Sequence, residues 1–247
     1  MTKREELLRK FLERLPAFQA VFRMAEAKGI INLEGHWQEP ILDIGCGDGI
    51  FSEILLGKGK QIIGVDLDEI ALKEARKRKV YKKLIKCNAK ILPFSSNYFA
   101  SVLANSSLEH IENLEPVLKE IYRVLTKGGI FILSAPSEKR AKYFIFGERE
   151  NRFFKHLNCW SGKTWSLSLK RIGFKQVSYQ YAGSPQTCRI GDFLLPLGLM
   201  GFFERKIFGH YLGWRRYFAP IGFLLLRRVE DKIRKENGAI IVVKAEK

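Results

Sequence analysis

Apolar residues recur along this chain with two different periods. Over residues 5–27, Leu8, Leu12 and Leu15 share one helical face with Phe11 beside them, and Phe18 and Phe22 continue it. Pro16 interrupts the stretch, because proline lacks the N–H and its ring clashes with the preceding turn. Gly29 is expected to end it. From Ile41 onward the pattern becomes short apolar runs separated by amphipathic ones. Ile41–Ile44, Gln61–Val65, Leu84–Cys87, Ser101–Ala104 and Ile130–Leu133 are expected as strands. Helices are expected over 50–58, 69–79 and 114–125, the last stopped by Gly128-Gly129. Strand and helix thus alternate, and right-handed crossovers turn such βαβ units into a parallel sheet with helices on both faces.

After residue 137 the alternation loosens. A helix over 163–172, a strand over 175–181 and a last strand over 238–244 are expected. Between those two strands, residues 190–228 are rich in Leu, Phe, Gly and Arg and read as an insertion. The chain therefore divides into an N-terminal helical lid (1–35), a core (36–189), the insertion (190–228) and a segment (229–247) that completes the core with its last strand. No internal repeat is apparent.

A length of 247 residues is enough for one large domain with a substantial core. With 46% hydrophobic and 28% charged residues, intrinsic disorder and collagen-like structure are excluded. The net charge is +17 and is unevenly spread: residues 1–136 carry +4 and residues 137–247 carry +13, together with 11 of the 18 Phe. Such a balance favours anionic partners. Cys46, Cys87, Cys159 and Cys188 form no CxxC pair, and the start of the chain lacks the apolar core of a signal peptide, so reduced thiols in a cytoplasmic protein are expected. No uncharged apolar run approaches the ~18–20 residues of a spanning helix.

The sharpest chemical signal is Asp43-Ile44-Gly45-Cys46-Gly47-Asp48-Gly49, between an expected strand and helix. A dinucleotide fingerprint would need glycine at position 50, where Ile50 stands. Asp43 and Asp48 add negative charge where a pyrophosphate would sit. An adenosine ligand with a cationic end suits this loop better. Asp66, at the end of the second strand, can accept from both ribose hydroxyls.

These residues resemble motif I and the ribose-binding acid of class I S-adenosylmethionine-dependent methyltransferases. Asn88-Ala89 before Leu92-Pro93-Phe94 is similar to the step that meets the adenine amine, with Asn in place of the usual Asp. Asn105–Ile111 followed by Arg123–Gly129 resembles the type 11 methyltransferase domain. One departure is Ala100, where the family often has Asp. The resemblance implies S-adenosylmethionine as cofactor, held by Asp43, Gly45, Cys46, Gly47, Asp66, Leu67, Asn88, Ala89 and Asn105, with no metal. It also implies a Rossmann-like α/β fold: seven strands, mostly parallel, with the last antiparallel and the insertion just before it. The lid and the insertion would cover the acceptor.

Methyl transfer from a sulfonium needs a general base only for a hydroxyl, carbon-acid or protonated-amine acceptor. The candidates are His110 and His156, with Glu109 a weaker one; packing under the cofactor loop is the plainer role for His110. After the fourth strand the chain has Asn105-Ser106-Ser107-Leu108 in place of an Asn/Asp-Pro-Pro-aromatic motif, which speaks against adenine amino-methylation. In the insertion, two uncharged runs of ten or eleven residues, 193–203 and 217–226, are flanked by Trp214, Arg215-Arg216 and Arg227-Arg228. They read as a membrane-facing lid, a buried hairpin or dimer interface, or a nucleic-acid surface. Alternating blocks of apolar and basic residues favour an interface over RNA. The leading expectation is methylation of a hydrophobic or lipid-linked small molecule at an anionic, cytoplasmic membrane face. An RNA methyltransferase and a non-catalytic S-adenosylmethionine-binding protein are the alternatives, and the oligomeric state stays open.

Overall fold

The computed structural model describes residues 2–33, 36–145, 147–208, 215–226 and 235–247. Two helices come first, α1 (Lys3–Leu12) and α2 (Ala17–Leu33), with the break at Pro16. Next come β1 (Ile41–Ile44), α3 (Ile50–Leu56), β2 (Ile62–Asp66), α4 (Glu69–Lys77), β3 (Lys83–Lys86) and β4 (Phe99–Asn105). After a 3₁₀ turn at Leu108–His110 follow α5 (Glu115–Val124), β5 (Leu125–Pro136), α6 (Arg140–Tyr143), α7 (Gly147–Phe153), α8 (Gly162–Ile172) and β6 (Lys175–Ala182). The described chain closes with α9 (Pro185–Phe208), α10 (Arg215–Leu226) and β7 (Ile240–Glu246).

The seven strands form one sheet in the order β3-β2-β1-β4-β5-β7-β6. Neighbours from β3 to β5 are parallel, and β7 runs antiparallel to both β5 and β6. This is the expected sheet with its reversed last strand. Successive strand residues serve opposite faces, as the pleat requires. Ile41, Ile132 and Val242 join the layer formed with α1 and α2. Leu42, Phe131, Leu133, Ile241 and Val243 join the layer formed with α5 and α8. The order of strands reverses between β1 and β4, and at such a switch point the carboxyl ends of the strands leave a crevice.

Three glycines act differently from expectation. Gly29 does not end α2 but lies inside it. A Cβ there would come within 2.7 Å of Val242 Cγ2, so glycine lets the helix pack close against β7. Gly128-Gly129 does not stop α5, which ends at Val124; the chain enters β5 at once. The pair lies in the irregularity between the Phe99–Leu125 and Ser101–Ile130 pairings, where Gly128 has φ +72°. The expected insertion falls on α9, which starts at Pro185, and α10. Its α9 packs on α2 and its α10 on α1. Trp214 and Arg227-Arg228 lie outside the described residues. No helix among the described residues is long and apolar enough to cross a membrane.

Candidate active site

The loop after β1 is shaped by glycines held against β2. The N–H groups of Gly45 and Cys46 both donate to the Val65 carbonyl, at 2.8 and 3.1 Å. Gly45 has φ +68°, and a Cβ on it would collide with Ser107. Gly47, at φ +53°, has open space where its Cβ would be, so the backbone there is bare to a ligand. Gly47 N–H donates to Asp66 Oδ2 at 2.8 Å, and Asp68 N–H donates to Asp66 Oδ1 at 2.9 Å. The end of β2 is thereby fastened to the glycine loop with its carboxylate at the cavity wall.

Asp43 is buried beneath this loop. Its Oδ2 accepts from Ser52 Oγ at 2.6 Å and Tyr81 Oη at 2.7 Å, which ties α3 and the segment after α4 to β1. Burial raises its pKa to about 6 against those two hydrogen bonds. Asp43 therefore supports the loop from below as well as lining the cavity. Burial also pushes the Cys46 thiol well above its ordinary range, which makes this cysteine a small filler and no nucleophile. Asp68 caps α4, its Oδ1 accepting from Ile70 and Ala71 N–H, and Asp48 Oδ1 accepts from Ile50 N–H at the start of α3.

One cavity of about 1120 Å³ runs along the carboxyl edge of the sheet. That exceeds the roughly 300–1,000 Å³ of a typical small-ligand pocket and leaves room for two molecules side by side. Asp43, Gly45, Cys46, Gly47, Asp66, Leu67, Asn88, Ala89 and Asn105 all line it. Asn88 Oδ1 accepts from Lys90 N–H at 2.9 Å and keeps a second lone pair for an amine donor. Exposed Leu67 gives an apolar surface beside Asp66. The side chain of Asn105 is otherwise committed: it accepts from Ser134 Oγ at 2.6 Å and donates to Glu26 at 3.3 Å.

The other end of the cavity is formed by Leu15 between α1 and α2, Gln19 and Arg23 of α2, His110, and Asn151, Arg152, Lys155, His156 and Leu157. The second N-terminal helix thus borders the cavity. Described residues of α9 and α10 do not line it, contrary to the expected cover; they back α1 and α2 instead. His110 and His156, 46 residues apart in sequence, have ring centroids 5.3 Å apart. Burial lowers the pKa of both, that of His156 to about 3 with help from Arg140, so both rings are neutral near pH 7. Glu109 is buried, and desolvation raises its pKa to about 8.

Sequence reasoning missed Glu26. This one acid on the apolar side of α2 accepts from Arg23 (2.7 Å), Ser106 (2.6 Å) and Asn105 (3.3 Å), and so pins the lid to the end of β4. Its signal was an acid at a position where the helical pattern calls for an apolar residue. The contacts of α6 and α7 were missed too. Arg140 stacks 4.3 Å from the Phe144 ring and pairs with Glu150 at 3.1 Å, both buried.

The chain compares with known proteins as follows. Residues 42–133 match the family model of the type 11 methyltransferase domain. An uncharacterized protein of Methanocaldococcus jannaschii is 33% identical over 138 residues, which are 55% of this chain and 64% of that one. The demethylmenaquinone methyltransferase of Symbiobacterium thermophilum is 34% identical over 116 residues, 43% of this chain and 46% of that one. The chain thus spans about half to two thirds of the length of these curated relatives. The crystal structure of a Thermotoga maritima S-adenosylmethionine-dependent methyltransferase, a possible histamine N-methyltransferase, aligns with a TM-score of 0.64 at 20% identity. The alignment covers 91% of this chain and 89% of that one, a likeness of fold.

Sheet order, glycine loop and strand-end acid define the class: a class I S-adenosylmethionine-dependent methyltransferase fold. Within that fold, residues 42–133 match the model of the type 11 methyltransferase domain. The cavity fits this cofactor on its own chemistry. Its loop end carries Asp43, Asp48, Asp66 and Asp68, which suit a sulfonium and an ammonium and repel a pyrophosphate. The bare Gly47 backbone allows close approach.

Proposed function

We propose that this chain transfers a methyl group from S-adenosylmethionine to a hydrophobic or lipid-linked small molecule at an anionic membrane surface. The observation that carries the reading is the two-ended cavity, with carboxylates and bare glycine backbone at one end and two neutral imidazoles at the other. When bound, S-adenosylmethionine supplies a methyl group already activated by its sulfonium. The protein's part is positioning and exclusion of water. Asp66 would hold the ribose hydroxyls, Asn88 and Ala89 the adenine, and the Gly45–Gly47 backbone the amino-acid end. Arg23 and Gln19 of the lid close the acceptor side. His110 handles an acceptor proton at Nε2, with His156 beside it as the weaker base, because each Nδ1 is already engaged, with the Lys155 carbonyl (3.3 Å) and Asn151 Oδ1 (3.0 Å).

The hydrophobic acceptor is supported by apolar lining at that end (Leu15, Phe51, Ile111, Leu157) and by the quinone-type acceptor in the name of the Symbiobacterium relative. The membrane surface is supported by the +13 charge of residues 137–247 and by exposed apolar side chains on α9 and α10, with Phe193 81% and Ile207 70% exposed. The test is to incubate the protein with methyl-labelled S-adenosylmethionine and fractionated cell extract. Label in the organic-extractable fraction is expected. Label confined to RNA would assign an RNA methyltransferase, and no transfer to any fraction would assign a binding protein. With a hydroxyl or carbon-acid acceptor, His110→Ala or His156→Ala should lower turnover at least ~10²-fold and leave cofactor affinity nearly unchanged.

A further inference from the structure

We propose that Glu109, His110 and His156 form a binding site for one divalent transition-metal ion at the acceptor end of the cavity. One ligand atom from each of the three lies within 4.8 Å of the others, and His110 Nε2 is 3.8 Å from Glu109 Oε1. Two imidazoles and one carboxylate suit Fe²⁺, Mn²⁺, Co²⁺ or Zn²⁺ better than Mg²⁺ or Ca²⁺, which prefer all-oxygen shells.

Three further features show a built site. Both rings are oriented as metal ligands usually are, with Nδ1–H donating to an oxygen and Nε2 left with its lone pair. For His110 the acceptor is the Lys155 carbonyl, and for His156 it is Asn151 Oδ1. The two loops that carry the histidines are locked together. The Glu109 carbonyl accepts from the N–H groups of Leu157 (2.7 Å) and Asn158 (3.2 Å). Asn158 Nδ2 donates back to the carbonyls of Leu108 (3.0 Å) and Ile111 (2.8 Å). Lastly, the Glu109 side chain is 2% exposed, yet its Oε2 has no hydrogen-bond partner among the described residues. A buried carboxyl oxygen without a partner is rare in folded proteins, and an unplaced ion is one of the explanations for it.

His110 and His156 line the cavity, so the remaining coordination positions face the acceptor. An ion there would occupy the Nε2 lone pairs and would grip and polarise an acceptor oxygen, so the histidines would act on the acceptor as metal ligands, and direct proton transfer at Nε2 would belong to the metal-free protein. That role rests on the methyltransferase reading; the binding of the ion does not.

The test uses the full-length protein, stripped with chelator and dialysed, and titrated with Co²⁺ and Zn²⁺ by calorimetry and by the visible spectrum of Co²⁺, without S-adenosylmethionine. One equivalent should bind. His156→Ala, His110→Ala and Glu109→Gln should each weaken binding at least 10-fold, and Asn151→Ala, which removes the Oδ1 partner of His156 Nδ1, roughly 10-fold. His36→Ala, away from the cluster, should change nothing. Circular dichroism identifies any variant that fails to fold, and His156→Asn then replaces the alanine. Absence of binding to the wild-type protein at millimolar Co²⁺, or binding unchanged in folded His156 and Glu109 variants, overturns the site. Titration with S-adenosylmethionine on the same sample separates the two readings. Cofactor heat without metal binding removes only the metal site, and metal binding without cofactor heat removes only the methyltransferase reading.

Discussion

At the scale of single residues, Asp66 and Asp43, two of the four acids at the loop end of the cavity, have different jobs. Asp66 lines the cavity from the end of β2, so on the proposed reading Asp66→Ala should weaken S-adenosylmethionine by about 1–3 kcal/mol, the loss of charge-assisted hydrogen bonds to two hydroxyls. Equilibrium dialysis against labelled cofactor measures it. Asp43 works inside the fold. Burial lifts its pKa from 3.8 to about 6, so the folded protein holds this proton more tightly than the unfolded chain does. The stabilisation from this group is complete below about pH 4 and is lost as pH rises through about 6, on the order of 3 kcal/mol. Asn at this position cannot ionise. Asp43→Asn should therefore gain about that much relative to the wild type between pH 4 and pH 7.5 in urea unfolding. A difference that stays constant with pH would show that Asp43 does not titrate there. The loop acids and Asp66 were legible because their spacing is local to one β-turn-α unit and the next strand end. Asp43's partners Ser52 and Tyr81 were not, since Tyr81 reaches it from 38 positions away in sequence.

Among the elements, the alternating core could be read almost strand by strand from its apolar periods. The errors fell where tertiary packing overrides a local signal. Gly29 reads as a stop but serves a close contact with Val242 on β7, more than two hundred residues later. The short helices α6 and α7 are held by Arg140, Phe144 and Glu150 rather than by a repeating apolar face. The lid offers the clearest test at this scale. Glu26 is the one side chain of α2 that takes hydrogen bonds from Arg23, Asn105 and Ser106 together. Glu26→Gln leaves Arg23 without its carboxylate and should cost about 1–3 kcal/mol of stability. Hydrogen exchange should quicken in α1 and α2 more than in β1 or β4. Uniform acceleration across the sheet would mean that the network stabilises the whole fold rather than the lid.

For the whole molecule, the concentration of basic charge in the C-terminal half was visible in the charge count. Which way the insertion faces was not. It packs on the lid helices with part of its apolar surface, burying Leu194, Ala219 and Leu226, and leaves Phe193, Ile207, Phe208, Ile221 and Leu224 exposed. Apolar insertion and basic attraction together should bind anionic liposomes in a way that salt weakens but does not abolish. Replacing Phe193, Ile207 and Leu224 with Ser should release the protein in flotation assays at unchanged cofactor affinity. If the intact protein does not float with anionic liposomes at low salt, this face is structural or joins two copies. The central claim, that the cavity above β1 and β2 is built for S-adenosylmethionine, is tested most directly by titration calorimetry of the full-length protein with S-adenosylmethionine and with NAD. Saturable one-to-one heat with S-adenosylmethionine, sharply reduced in Asp66→Ala, is expected, with none for NAD. Tight NAD binding without heat from S-adenosylmethionine would contradict the account.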